Sequence, residues 1–174
     1  MGAPLLEMFE KVRQPNVELK EFLRLLTGVE QSVLNVLLYN DQAMNPNEIR
    51  LYLVADVVNT ITCLFEKEIC EKLFEQGKRR KLPWYWKGVL SPPLNPKPFF
   101  DFVKKHKPLA KYINDYVKFL KKEDIAAIPD YRTIEKILKE FEVAGIVISR
   151  DEVGKAKKAY AINPLIAKEL KEST

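Results

Sequence analysis

The chain has 174 residues, of which 47% are hydrophobic and 10% aromatic, a composition that excludes global disorder. Its formal net charge of +5 is uneven: residues 1–70 contain six Lys and Arg against ten Asp and Glu, and residues 71–174 contain 23 against 14. No run of eighteen apolar residues occurs, and no basic stretch precedes an apolar one at the start, so we expect a cytoplasmic protein without a membrane span or secretory signal.

The residue types that most enzymes and metal sites need are scarce. Cys63 and Cys70 are the only cysteines; on one helix, their Cα atoms would lie about 10.5 Å apart, too far for a disulfide. His106 is the only histidine, and no glycine loop or nucleophile motif is found among the six glycines. We therefore predict no enzymatic activity, no metal and no cofactor.

The first 28 residues have the pattern of an N-terminal helical extension. A short helix is predicted over Pro4 to Val12, and it breaks before Gln14-Pro15. Asn16 is then expected to cap a second helix that ends at Gly28 and has an apolar stripe of Leu19, Phe22, Leu23 and Leu26.

Residues 29–54 predict two helices joined by a short link. Val29 to Tyr39 is apolar over most of its circumference, so this helix should be buried. After the link, Asn45 is a suitable N-cap and Pro46 a suitable first residue for a helix that reaches Val54.

Residues 55–128 are mostly helical by pattern. Val57 to Gln76 predicts a long helix that ends at Gly77, and a proline-rich stretch follows over residues 91–98. Two further helices are predicted over Phe99 to Lys107 and Leu109 to Lys122, on either side of Pro108.

A basic and aromatic segment lies inside that region. Its cations could neutralise phosphates while a tryptophan stacks on a base. Alternatively, the cations solvate a helix end and the tryptophans fill the core, which is the interpretation we favour. The residues of this segment are Lys78, Arg79, Arg80, Lys81, Trp84 and Trp86.

Residues 130–164 predict a helix, a glycine stop and a β-hairpin. Asp130 is a good N-cap for a helix whose buried stripe consists of Ile134, Ile137, Leu138, Phe141 and Ala144. Gly145 should end this helix in the left-handed conformation. The runs 146–148 and 159–162 predict antiparallel strands joined by the loop Asp151 to Lys158, and residues 165–174 a C-terminal helix or tail.

This segment resembles the second half of a winged helix-turn-helix domain, and residues 29–54 resemble its first two helices. The expected fold is therefore mainly α with a small β-hairpin. In one arrangement, a split domain of residues 29–54 and 129–164 surrounds a helical insertion, residues 55–128. In the other, Leu109 to Lys122 and Glu123 to Ile128 supply the first two helices locally. We favour the split domain, because Glu123 to Ile128 is too short for a helix with its own packing face.

The resemblance implies double-stranded DNA binding through a recognition helix and a basic wing, as in a transcription regulator or a replication-associated factor. Arg132 is the first choice for a base contact, and Glu135 would accept from cytosine or else reject wrong bases by repulsion. The implied DNA-binding residues are Tyr131, Arg132, Thr133, Glu135, Lys136 and Lys139 on the helix, and Arg150, Lys155, Lys157 and Lys158 on the wing.

Other interpretations stay open at this point. The chain could instead be a protein-interaction module in a replication or transcription assembly, without direct DNA reading. The N-terminal helices could form a homodimer interface or pack within their own chain. Gln and Ser occur only four times each, which weakly favours a thermophilic source.

Overall fold

The computed structural model of the chain describes residues 12–65, 96–152, 154 and 158–173. The predicted helix Pro4 to Val12 lies outside these residues, apart from Val12 itself, and so does the second half of the predicted helix Val57 to Gln76.

The described residues are mainly helical and include one small antiparallel sheet, as expected for the fold class. We number the elements in chain order. They are α1 (Leu19–Leu25), α2 (Gly28–Asn40), α3 (Pro46–Phe65), α4 (Pro96–Lys105), a 3-10 turn (Leu109–Lys111), α5 (Ile113–Lys122), α6 (Tyr131–Val143), β1 (Val147–Asp151), β2 (Lys158–Ile162) and α7 (Ala167–Ser173).

The chain folds into two compact units. One, which we call the discontinuous unit, consists of Met1–Arg50 and Pro129–Thr174. The other, the middle unit, consists of Leu51–Ile128. The helix α2 therefore shares a unit with α6 and the hairpin, whereas α5 belongs to the middle unit. The segment Glu123–Ile128, considered above as a degenerate second helix, is not helical.

The core of the discontinuous unit is built around α2. This helix begins with a capping box between Thr27 and Glu30, and it packs against α6, β2 and α7. Its side chains Val33, Leu34 and Leu37 are almost completely buried, but Tyr39 is 82% exposed, so the helix is buried along one side and not around most of its circumference as predicted.

The extension before α2 packs within the chain where the structure describes it. Phe22 of α1 meets Phe141 of α6 edge to face, with ring centroids 5.5 Å apart. Val17 and Leu25 stay exposed, so a homodimer through this region remains a prediction.

Two predicted helices are one continuous helix in the structure. We expected Pro46 to Val54 and a separate helix from Val57, but α3 runs without interruption from Pro46 to Phe65. The residues at the expected break, Ala55 and Asp56, include no glycine or proline, so nothing interrupts the backbone hydrogen bonds.

The middle unit contains an aromatic cluster between α4 and α5. Phe102 stacks on Phe119 at 4.3 Å and meets Tyr116 edge to face at 5.0 Å. The hydroxyl of Tyr116 donates to the His106 carbonyl oxygen at 3.0 Å. The expected α-helix from Leu109 begins only at Ile113, after the 3-10 turn, and α4 covers Pro96–Lys105 instead of Phe99 to Lys107.

Candidate nucleic-acid interface

The helix α6 starts at the N-cap that the sequence predicted. The Asp130 carboxylate accepts a hydrogen bond from the Thr133 backbone N–H at 2.8 Å. The hydrogen bonds from Thr133 hold the pKa of Asp130 below its usual value, and the nearby guanidinium groups of Arg50 and Arg132 lower this pKa further. The start of α6 therefore combines a fixed carboxylate with two arginines.

One face of α6 is buried and the opposite face is open. Ile134, Ile137, Leu138 and Phe141 are buried as predicted, whereas Ala144 is only half-buried. Four of the six predicted helix residues are exposed, namely Arg132, Thr133, Lys136 and Lys139. Tyr131 and Glu135 are half-buried.

The open face of α6 lines a shallow depression. It carries three cations and two carboxylates, and Lys139 Nζ lies 3.4 Å from the Glu135 carboxylate. Val143, at the end of this face, is 70% exposed. The described residues that line the depression are Arg132, Glu135, Lys136, Lys139, Glu140 and Val143.

Tyr131 and Glu135 form a pair one helical turn apart. Burial raises the pKa of Tyr131, and the charge of Glu135 and a hydrogen bond between the two side chains raise it further. The Tyr131 hydroxyl therefore keeps its proton and donates a hydrogen bond to the Glu135 carboxylate. A base contact by either residue would require this pair to rearrange or to act together.

The C-terminal end of α6 has a hydrogen bond for each of its last carbonyl groups. Gly145 N–H donates to the Glu142 carbonyl at 3.0 Å and Ile146 N–H to the Phe141 carbonyl at 2.9 Å, which is a Schellman motif. The remaining two carbonyls accept from Asn16, whose side-chain amide binds Val143 O at 3.1 Å and whose backbone N–H binds Ala144 O at 3.2 Å.

Asn16 therefore has a different role from the one the sequence predicted. We expected it to cap the helix that follows it, but Glu18 caps α1 by accepting hydrogen bonds from the backbone N–H groups of Lys20 and Glu21. The partners of Asn16 are 127 and 128 residues away in the sequence, so no local pattern could have indicated them.

Gly145 is required at this junction for two reasons. Its φ is +80°, in the left-handed region that side chains disfavour, as predicted for the end of this helix. In addition, a Cβ atom at this position would lie 2.8 Å from the Cα atom of Pro15, so the N-terminal segment can approach only a glycine.

Asn163 joins three parts of the discontinuous unit. It is 1% exposed, and its side-chain amide donates to Gly145 O at 2.9 Å and to Arg13 O at 2.7 Å. Its backbone N–H donates to Ile146 O at 2.9 Å. The end of β2, the turn after α6 and the N-terminal segment are thereby held together.

The hairpin is attached to α6 and carries two of the predicted wing cations. Ser149 of β1 donates a hydrogen bond to the Glu142 carboxylate on α6. In the antiparallel register, Arg150 lies opposite Ala159, and Lys158 lies opposite the last residue of β1. Lys158 is exposed and Arg150 is half-buried.

The link between α2 and α3 also binds the hairpin. Met44 forms an antiparallel bridge with Tyr160 of β2, in which each backbone N–H donates to the other carbonyl at 2.8 Å. Tyr160 is 2% exposed; burial raises its pKa to about 12, with further contributions from Glu142, Glu135 and Tyr131.

Asn45 caps α3 as predicted. Its side-chain oxygen accepts from the Glu48 backbone N–H at 2.9 Å, and its own backbone N–H donates to the Glu48 carboxylate at 3.3 Å. Its side-chain amide donates to Glu152 at 3.2 Å, a contact that the sequence did not reveal.

The structure therefore brings the predicted helix cations together on one face of α6 and places Arg150 and Lys158 on the adjoining hairpin. Lys155 and Lys157 lie outside the described residues, as does the whole basic and aromatic segment of Lys78, Arg79, Arg80, Lys81, Trp84 and Trp86.

Within the described residues, no group of three or more His, Cys, Asp or Glu side chains is placed to hold a metal ion. None of the helices in the described ranges combines the length and the apolar composition needed to span a membrane. We compared the chain with protein-family models, curated proteins and solved structures, and none of them matches it.

Proposed function

We propose that this chain is a winged-helix protein that binds double-stranded DNA, with α6 as the recognition helix and the β1–β2 hairpin as the wing. The observation that carries the proposal is the open face of α6, on which Arg132, Lys136 and Lys139 are exposed. The helix behind these cations is buried along its other face and hydrogen-bonded at both ends. A rigid helix with an exposed cationic face is suited to the major groove.

The order of elements in the discontinuous unit supports the same proposal. The helix α2, the link, the start of α3, and later α6 and the hairpin all belong to this unit. The bridge from Met44 to Tyr160 connects the link to the hairpin, so the two separated parts of the sequence form one hydrogen-bonded structure. This is the order expected of a split winged helix with an inserted region.

Each exposed cation of α6 and of the hairpin then has a role in binding. Arg132, in the first turn of α6, would donate two hydrogen bonds to a guanine edge, because the N-terminal residues of a recognition helix meet the bases. Lys136 and Lys139 would contact the groove wall or backbone, and Lys158, which is exposed on the hairpin, would bind a phosphate beside the groove. Such contacts suit a transcription regulator or a replication-associated factor.

The test is fluorescence anisotropy with a labelled duplex of about 20 base pairs, titrated at salt concentrations from about 50 to 200 mM. We expect the affinity to fall steeply with salt. Arg132→Ala and Lys136→Ala should each weaken binding, and a lost phosphate contact should reduce the salt slope by about 1. Lys118→Ala removes an exposed cation of α5 in the middle unit and should leave the slope unchanged.

A duplex that is not bound below micromolar concentration at low salt would exclude DNA reading. The second candidate function, a protein-interaction module, is favoured by the mixed charge of the open face and by the exposure of Val143. The two functions differ in the response to Val143→Ser, which should leave the affinity for DNA unchanged and weaken a protein contact.

A further inference from the structure

Two consecutive residues in the link between α2 and α3 bind the hairpin at separate points. Met44 pairs with Tyr160 near the middle of β2. Asn45 donates its side-chain amide to Glu152, the residue that directly follows the end of β1. The link therefore fixes both strands of the hairpin to the rest of the discontinuous unit.

Asn45 is itself held in a fixed orientation. It is 7% exposed, and both its side-chain oxygen and its backbone N–H are engaged in the capping box with Glu48. The amide nitrogen is then the group that remains for a contact outside the helix, and this contact is with Glu152. A buried and doubly hydrogen-bonded partner makes the position of Glu152 well defined.

Glu152 has the wrong charge for a residue beside DNA. It lies next to Asp151, which pairs with Lys158 in the last rung of the hairpin. A carboxylate at this place repels phosphates, so electrostatics alone would make its removal favourable for DNA binding. Its hydrogen bond with Asn45 gives it a structural role that could outweigh this repulsion.

We propose that Glu152 is a positioning residue for the wing: through Asn45, it fixes the end of the hairpin so that Lys158 is aligned with the DNA backbone. This inference rests on the proposed function. A two-stranded hairpin by itself is only marginally stable, so attachment at both strands reduces the conformational freedom that DNA binding would otherwise remove.

Two substitutions of Glu152 separate its effect on the position of the wing from the effect of its charge. Glu152→Gln removes the charge but keeps a side-chain oxygen that can accept from Asn45, whereas Glu152→Ala removes both. Electrostatics alone predicts tighter DNA binding by both variants. If Glu152 positions the wing, Glu152→Gln binds as tightly as the wild type or more tightly, and Glu152→Ala binds about threefold or more weakly. Equal tightening by the two variants would overturn the inference.

A double-mutant cycle tests whether the effect acts through the wing cation. In the Lys158→Ala background, the loss caused by Glu152→Ala should largely disappear, because there is no longer a cation to misalign. An undiminished loss in that background would show that Glu152 does not act through Lys158.

Amide hydrogen exchange without DNA keeps this inference separate from the proposed function. In Glu152→Ala, the amides of Lys158–Ile162 should exchange about tenfold faster than in Glu152→Gln, while the amides of α6 should be unchanged. If the wild type binds no duplex, the proposed function fails, and the exchange rates alone then decide whether Glu152 positions the hairpin. Equal exchange in the two variants would exclude that role, whether or not DNA binds.

Discussion

Replacement of Gly145 by alanine tests the junction between the N-terminal segment and the end of α6. The residue has a φ of +80°, and an L residue in the left-handed region costs about 1–2 kcal/mol. Gly154 has a similar φ of +73°, but a Cβ atom there would meet no atom of the described residues within 4 Å. Gly154→Ala is therefore the matched control, because it has the backbone strain without the steric contact.

The additional cost at Gly145 comes from Pro15. A Cβ atom 2.8 Å from the Pro15 Cα atom forces the N-terminal segment away from α6. This movement would break the two hydrogen bonds of Asn16 to Val143 and Ala144, each contributing about 1 kcal/mol. We therefore expect Gly145→Ala to destabilise the discontinuous unit by about 3–4 kcal/mol and Gly154→Ala by about 1–2 kcal/mol.

The assay is native-state amide hydrogen exchange of residues 134–138, in the middle of α6, which reports the unfolding free energy of this unit. Urea unfolding followed by circular dichroism provides a second measurement, in which a difference of about 2 kcal/mol corresponds to a midpoint shift of about 1 M. If the two alanine variants lose the same stability, the contact with Pro15 contributes nothing and the reasoning about this junction is refuted.

Three further predictions concern the same unit. Between the usual tyrosine pKa and about pH 12, Tyr160 ionises only in the unfolded state, which should lower the free energy of unfolding by about 2–3 kcal/mol. Tyr160→Phe should lack this loss in alkaline urea titrations. The Asp130 carboxyl should titrate below its usual range in NMR, so its contribution to stability should be lost as pH falls through this lowered pKa. Asp130→Ala should lower the free energy of unfolding by about 1 kcal/mol. A normal pKa of Asp130 would contradict the hydrogen bond from Thr133. Phe22→Leu should remove an edge-to-face contact with Phe141 that contributes about 0.5–1.5 kcal/mol, measurable by thermal unfolding against Leu25→Ala, whose side chain is 69% exposed.

The parts of the fold that local chemistry determines could be predicted from the sequence. Asp130 and Gly145 delimit α6 because an N-cap carboxylate and a left-handed C-terminal glycine act on adjacent backbone groups. Asn45 and Pro46 mark the start of α3 for the same reason.

The parts that depend on distant contacts could not be predicted in this way. Asn16 looks like an N-cap in isolation, but the backbone carbonyls at the end of α6 are its partners in the structure. The contact between Asn45 and Glu152 joins residues 107 positions apart, so it has no local pattern. The break expected after Val54 was wrong, because amphipathic periodicity does not show where a helix stops and no helix-breaking residue occurs there.

The same limitation applies to the candidate site. Helical periodicity identified the open face of α6, since a buried stripe defines the opposite side. It could not identify the half-burial of Tyr131 and Glu135 or their mutual hydrogen bond, because these depend on the side chains packed around them.

The contacts of Asn163 have a consequence for how the chain folds during synthesis. Its amide binds Arg13, 150 residues earlier, and Gly145, only 18 residues earlier. A ribosome adding about 5–20 residues per second needs about 8 to 30 seconds to extend the chain from Arg13 to Asn163. During that interval the middle unit is synthesised, and the apolar side of α2 still lacks its partners α6, β2 and α7. The discontinuous unit is therefore completed last, although its first helices are synthesised before the middle unit.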